Sequence, residues 1–175
     1  MSGYTRPQIV RRGSTPRIPK GPYTVMVNKA EAAVGKSEPH NPQVILDLEI
    51  MSPETVEYQP GVLVKTAGQK VKMYVTFSEK NLGNVLAFLD GMKVQLPEPA
   101  DSQEEDIKNL QLATLTLANS LFQMTLSSKA EPMLDFKNNP ILDSNGQPIM
   151  GQEQIECAMF NVLPGTRIDV NGNPL

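Results

Sequence analysis

Three runs of alternating polarity constrain this sequence more than any other feature. They span residues 23–28, 44–50 and 69–77. In the second run the residues between the apolar ones include Asp47 and Glu49, which cannot share a buried face. Alternation with a period of two places apolar side chains on one face of a sheet and polar ones on the other. Three such strands close together in sequence predict an antiparallel meander that curls into a small barrel or sandwich.

Two helices are predicted after the third run. A stripe of leucine and valine at helical spacing covers residues 82–89, and Gly91 is well placed to end that helix. Ser102 followed by Glu105 forms a capping-box pattern, and the neighbouring acids suit the first turn of a second helix. The chain is therefore expected to be mostly β with two helices, an α+β protein.

The last third of the chain is predicted to return to β-structure. Residues 122–126 read as a strand, and the largely apolar run 155–163 reads as a final strand covered on both faces. A long segment rich in turns separates these two strands, and it contains a hairpin turn signal at residues 143–146. We expect no internal repeat at a fixed period. Cys157 lies in the final run and is interpreted as a small core residue.

The length of 175 residues favours one domain with flexible ends. We expect a flexible basic arm over residues 1–18, the folded domain over 19–164 and a loosely ordered tail over 165–175. Residues 1–30 carry six basic residues and no acid, so the net charge of −3 leaves −9 on the remainder. A basic arm on an acidic body is typical of polyanion binding, and it is equally typical of a disordered, solubilising leader.

The residues that catalysis requires are sparse, and we expect no enzymatic activity, cofactor or metal. His40 is the only histidine, and it lies between prolines in a loop. Asp47 and Glu49 share one strand face, which leaves a metal-dependent nuclease as a minor alternative that activity lost on Asp47→Ala would support. The sequence contains neither a secretory signal nor an apolar run long enough for a membrane helix, so a cytoplasmic protein is expected.

The polar face of the third run carries the strongest candidate site. Lys70, Lys72 and Tyr74 are two residues apart, which puts them on one side of the sheet at about 6–7 Å intervals. This interval is similar to the backbone repeat of single-stranded nucleic acid, whose phosphates lysine neutralises and whose bases stack on tyrosine. Lys65 and Lys36 would extend the set through neighbouring loops. An ordinary solvated strand explains the same pattern equally well.

The order of elements resembles that of phage-type single-stranded-DNA-binding proteins with an OB fold. Their Pro-x-Gly-x-Tyr opening and the lysine–alanine–glutamate stretch after it are matched by Gly21, Tyr23, Lys29, Ala30 and Glu31. The resemblance extends over residues 19–163. It includes a helix like the one predicted at residues 81–89 and a closing strand with a sequence of the IECAMF type. The chain departs from that group in having no tryptophan and no acidic C-terminal tail.

The resemblance implies an OB-like five-stranded antiparallel barrel with a disordered basic N-terminal arm. It also implies binding of single-stranded DNA without sequence preference during replication or recombination, in the cytoplasm of a host cell if the protein is phage-encoded. RNA as a second ligand and self-association stay open. The alternative is a virion structural or assembly protein that uses a small β-domain with a basic arm. The expected nucleic-acid-binding residues are Lys70, Lys72, Tyr74, Lys65, Lys36, Arg11, Arg12, Arg17 and Tyr58.

Overall fold

The computed structural model describes residues 17–129, 131–151 and 154–175. The chain is mostly β with two helices, as predicted from the sequence. The strands are β1 (Gly21–Val34), β2 (Pro42–Ser52), β3 (Thr55–Gln59), β4 (Val62–Lys65), β5 (Lys70–Thr76), β6 (Ser120–Lys129), β7 (Gln154–Glu156) and β8 (Ile168–Asp169). The helices are α1 (Leu82–Gly91) and α2 (Gln103–Thr114), the latter continued by a single 3-10 turn at Leu115–Leu117.

Five antiparallel strands form a curled half-barrel in the order β5-β2-β1-β6-β7, and β8 pairs with β6 beside this path. The long strand β1 is central, because it pairs with β2 on one edge and with β6 on the other. The strands β3 and β4 form a separate hairpin inserted between β2 and β5. This arrangement is consistent with the predicted OB-like fold, and it places β5 at one end of the sheet.

The alternating runs supply most of the core. Every second residue of β2 from Val44 to Ile50 is fully buried, and in β5 Met73 and Val75 are fully buried as well. Burying one such side chain contributes about 1.5–3 kcal/mol. The polar residues between them are therefore held on the outer face, which confirms the strands predicted from the alternation.

The two helices cover the inner face of the sheet, where Val85 and Leu89 of α1 and Leu110 of α2 join the core. The helix α1 ends at Gly91, as predicted. The helix α2 begins after Ser102, whose Oγ accepts a hydrogen bond from the backbone N–H of Glu105 at 3.2 Å. In the part of the chain that the structure describes, no helix has the length and apolar character to cross a membrane.

The prediction of a continuous final strand over residues 155–163 is wrong. Only Gln154–Glu156 forms a strand, and Met159–Asn161 forms a 3-10 turn instead. Phe160 is 84% exposed, so this run is not covered on both faces. Cys157 packs against the core, as interpreted, and burial raises the pKa of its thiol to about 12.

Both ends of the described chain contact the domain more closely than the sequence suggested. Ile18, placed within the expected arm, is fully buried in the core. In the expected loose tail, the guanidinium of Arg167 is buried and donates hydrogen bonds to Ser120 Oγ and to the carbonyls of Met92 and Thr116. The two carbonyls lie at the C-terminal ends of helical segments, where a cation is favoured.

Candidate nucleic-acid interface

Strand β5 presents three of the predicted residues on the outer face of the sheet. Lys70, Lys72 and Tyr74 are exposed, and the residues between them are buried. The five residues from Lys70 to Tyr74 span about 13 Å along an extended strand. Because β5 is the last strand of the sheet path, this row borders an edge that has no paired strand among the described residues.

Two further predicted cations lie at the Lys70 end of β5. The Nη2 atom of Arg17 donates a hydrogen bond of 2.7 Å to the carbonyl oxygen of Lys70. The side-chain amide of Gln69 donates to the carbonyls of both Arg17 and Lys65, at 2.7 Å each. Gln69 therefore holds the backbones of Arg17 and Lys65 together beside the start of β5.

The turn between β1 and β2 closes the other end of the row. A groove of about 670 Å³ lies there, and its lining combines Lys36 with Lys72 and Tyr74 and with the apolar side chains of Val34 and Ile45. Tyr74 is 53% exposed and is the cross-strand partner of Ile45. The tyrosine ring thus has an apolar neighbour and cations nearby, the environment in which a base stacks on an aromatic ring while its phosphate is neutralised.

These residues form one strip along β5 from the Gln69 contact to the groove. We call it the β5 track. It consists of Arg17, Lys65, Lys70, Lys72, Tyr74 and Lys36.

Acidic residues of β2 lie directly opposite the lysines of the β5 track. Asp47 pairs with Lys72 in the strand register, and its Oδ1 lies 3.5 Å from the Lys72 Nζ. Glu49 is the register partner of Lys70. Asp47 Oδ1 is shielded from solvent and accepts no hydrogen bond within the described residues. A phosphate that approaches Lys72 therefore competes with a carboxylate for the same ammonium group.

The acids of β2 show no metal-binding cluster. Within the described residues, no group of three or more histidine, cysteine, aspartate or glutamate side chains is placed to hold a metal ion. His40, the loop histidine, contacts Glu38 through Nε2 at 2.8 Å.

Three predicted residues are not part of this strip. Tyr58 is half-buried on the face of the β3–β4 hairpin that also carries Val56 and Val64, whereas Lys65 lies on the opposite, exposed face. Arg11 and Arg12 lie outside the described residues.

The sequence prediction missed the apolar floor formed by Val34 and Ile45. The exposure of Val34, at 63%, follows from its position at the end of β1, which the sequence pattern does not mark. Ile45 occupies a polar-face position of the alternating run 44–50, and an apolar residue at such a position was a usable signal.

A second cavity of about 290 Å³ lies between α1 and the segment around Met159–Asn161. Its lining has no charged side chain, so it offers no contact to phosphate. It is lined by Asn81, Asn84, Ala87, Phe88, Gly91, Met92, Met159, Phe160, Val162 and Pro164.

Comparison with known proteins does not assign the chain to a family. No protein-family model matches the sequence, and no curated protein is significantly similar to it. The resemblance drawn from the opening residues and the order of elements therefore stays a prediction.

Proposed function

We propose that this protein binds single-stranded DNA without sequence preference and protects it during replication or recombination, as a non-enzymatic protein of the cytoplasm. The observation that supports this most directly is the β5 track, in which two lysines and an exposed tyrosine of β5 have three further cations at the two ends of the strand. The residues of the β5 track are suited to contacts with phosphates and to stacking on a base. Both kinds of contact tolerate any nucleotide sequence.

Binding would proceed by electrostatic capture followed by limited stacking. The five cations neutralise phosphates and release counterions, and one base stacks on Tyr74 beside Ile45. If all five contact phosphates, the logarithm of the binding constant should fall with the logarithm of salt concentration with a slope of about −3.5, at about −0.7 per phosphate of a single strand.

Charge reversal on the β5 track tests this function. Lys70→Glu combined with Lys72→Glu should abolish binding to a single-stranded oligonucleotide in a fluorescence anisotropy titration at low salt. The matched control is Lys80→Glu with Lys108→Glu, because both lysines are exposed and lie outside the strip. Binding by the track variant at the strength of the control would refute the assignment of this surface.

The basic N-terminal residues are tested separately. A variant lacking residues 1–16 keeps Arg17 and the buried Ile18, so the core is retained. If Arg11 and Arg12 contact phosphates, this variant should bind every sequence more weakly and with a shallower salt slope. Unchanged binding would restrict the interface to the β5 track.

A further inference from the structure

An eight-residue turn occurs three times in this chain. The copies are residues 134–141 (LDFKNNPI), 142–149 (LDSNGQPI) and 168–175 (IDVNGNPL). The separation between copies differs, so they do not form a repeat at a fixed period. Each copy has an apolar residue, then aspartate, then a residue in the left-handed region four positions after the start, then proline.

The three copies share one hydrogen-bond pattern. In each, the aspartate Oδ1 accepts from the backbone N–H groups two and four residues later, at distances between 2.8 and 3.0 Å. In each, the first residue forms an isolated bridge with the proline. The left-handed residues are Asn138, Gly146 and Gly172, with φ of 63°, 75° and 83°. The repeat is therefore a repeated structure as well as a repeated sequence.

The third copy shows how such a turn docks. Its first two residues, Ile168 and Asp169, form β8 and pair with Leu121 and Ser120 at an edge of β6. Ile168 is half-buried in this position. A strand edge thus accepts the opening residues of the turn and shields the apolar side chain.

Among the residues that the structure describes, nothing covers the first two copies in this way. They form a continuous unit, residues 131–151, which we call the turn segment, in which the N–H groups of Met133, Ile141 and Ile149 donate to the carbonyls of Ile149, Met133 and Ile141, respectively. No residue of the turn segment is buried. Leu134 and Leu142, which correspond to Ile168, are 53% and 55% exposed, and Phe136 is 91% exposed.

An ordered segment without buried side chains needs a partner surface. Fixing the backbone of each residue costs conformational entropy, and burial of apolar side chains normally offsets this cost. Exposed apolar residues that are clustered mark an interaction surface. Because the described part of the chain does not cover these side chains, we take the partner to be a separate molecule.

Shape and charge together identify the partner surface. The docked third copy indicates a strand edge, and the turn segment carries three acids against one lysine, which favours a basic edge. The outer edge of β5 has no paired strand among the described residues and carries Lys70 and Lys72, with Arg17 and Lys65 beside it. A second copy of this chain therefore offers both features.

We propose that the turn segment of one molecule docks on the β5 edge of a second copy. The contact is head-to-tail, since two different surfaces meet, and its repetition builds rings or open chains of molecules. Where the proposed DNA-binding function also holds, the turn segment and the nucleic acid compete for Lys70 and Lys72.

The test is made without DNA, so its outcome does not depend on the proposed function. In sedimentation velocity at low salt, the wild-type protein should associate with rising concentration and dissociate when salt is added. A turn variant (Leu134→Ser, Phe136→Ser, Leu142→Ser) and a track variant (Lys70→Glu, Lys72→Glu) should each be monomeric. Leu96→Ser with Leu112→Ser, which changes exposed leucines elsewhere, should associate like the wild type.

Mixing the two monomeric variants gives the decisive result. The turn variant keeps an intact β5 edge and the track variant keeps an intact turn segment, so an equimolar mixture should form a 1:1 dimer that cannot grow. Circular dichroism verifies that both variants are folded, and Phe136→Ser alone replaces the triple variant if that one unfolds. A monomeric wild type, variants that associate unchanged, or a mixture that stays monomeric would each overturn the proposal.

Discussion

Replacing Asp47 with asparagine should strengthen binding to single-stranded DNA. The carboxylate lies 3.5 Å from the Lys72 Nζ, so it holds the ammonium group that a phosphate would otherwise contact. Asp47→Asn keeps the size of the side chain and removes the charge. The nuclease alternative predicts no such gain, because there Asp47 would serve a metal.

The magnitude follows from the exposure of the pair. The side chains of Lys72 and Asp47 are 60% and 37% exposed, so solvent screens the pair although Asp47 Oδ1 itself is shielded. Two unit charges about 4 Å apart in water attract by about 1 kcal/mol, and exposed pairs measure about 0.2–1 kcal/mol. Freeing Lys72 should therefore raise the affinity by up to about fivefold.

The assay is fluorescence anisotropy with a labelled oligothymidine at several salt concentrations. Glu98→Gln is the matched control, since Glu98 is exposed on the segment before α2 and does not belong to the β5 track. Thermal melting verifies that the variant is folded, and the change in stability should stay within about 1 kcal/mol. An affinity that stays level or falls for Asp47→Asn would refute the view that this carboxylate opposes phosphate binding.

Three other predictions concern single side chains. Tyr74→Ala should weaken binding by about 1–3 kcal/mol in the same titration, whereas Tyr74→Phe should preserve it, because the ring and not the hydroxyl stacks; equal losses would exclude stacking. Arg167→Met should lower the free energy of unfolding by about 3–5 kcal/mol in urea denaturation, since it leaves Ser120 and two carbonyls without their donor; a loss below about 1 kcal/mol would contradict this. Burial raises the pKa of the Cys157 thiol from an ordinary value of 9.0 to about 12, so stability should fall as pH rises through that window, and Cys157→Ala should lack the fall.

The sequence predicts the sheet well because side-chain period and burial are directly linked in a strand. The alternation in 44–50 and 69–77 was sufficient to place Lys70, Lys72 and Tyr74 on the outer face. The failure at 155–163 has a physical reason as well. A largely apolar run carries no clear period, so strand, turn and irregular backbone cannot be told apart from it.

The pairing of acidic residues of β2 with the lysines of the β5 track could not be predicted from the alternation alone. Alternation gives the face on which Asp47 lies but not the register that sets it against Lys72. That register depends on the segment that connects β2 to β5, which contains the β3–β4 hairpin. The attachment of the tail was equally hidden, because a lone arginine in a polar sequence gives no sign of burial.

The lysines of β5 also determine which strands can pair with the outer edge of β5. An unpaired strand edge is a template for aggregation, and alternate charges along it are a common safeguard. Two β5 strands brought side by side would set ammonium groups against one another. Two β5 edges therefore repel each other, whereas an anionic ligand can still bind. Neutral residues such as threonine at positions 70 and 72 would therefore leave the protein prone to fibrillar precipitation during concentration, a hazard that glutamate at the same positions would not create.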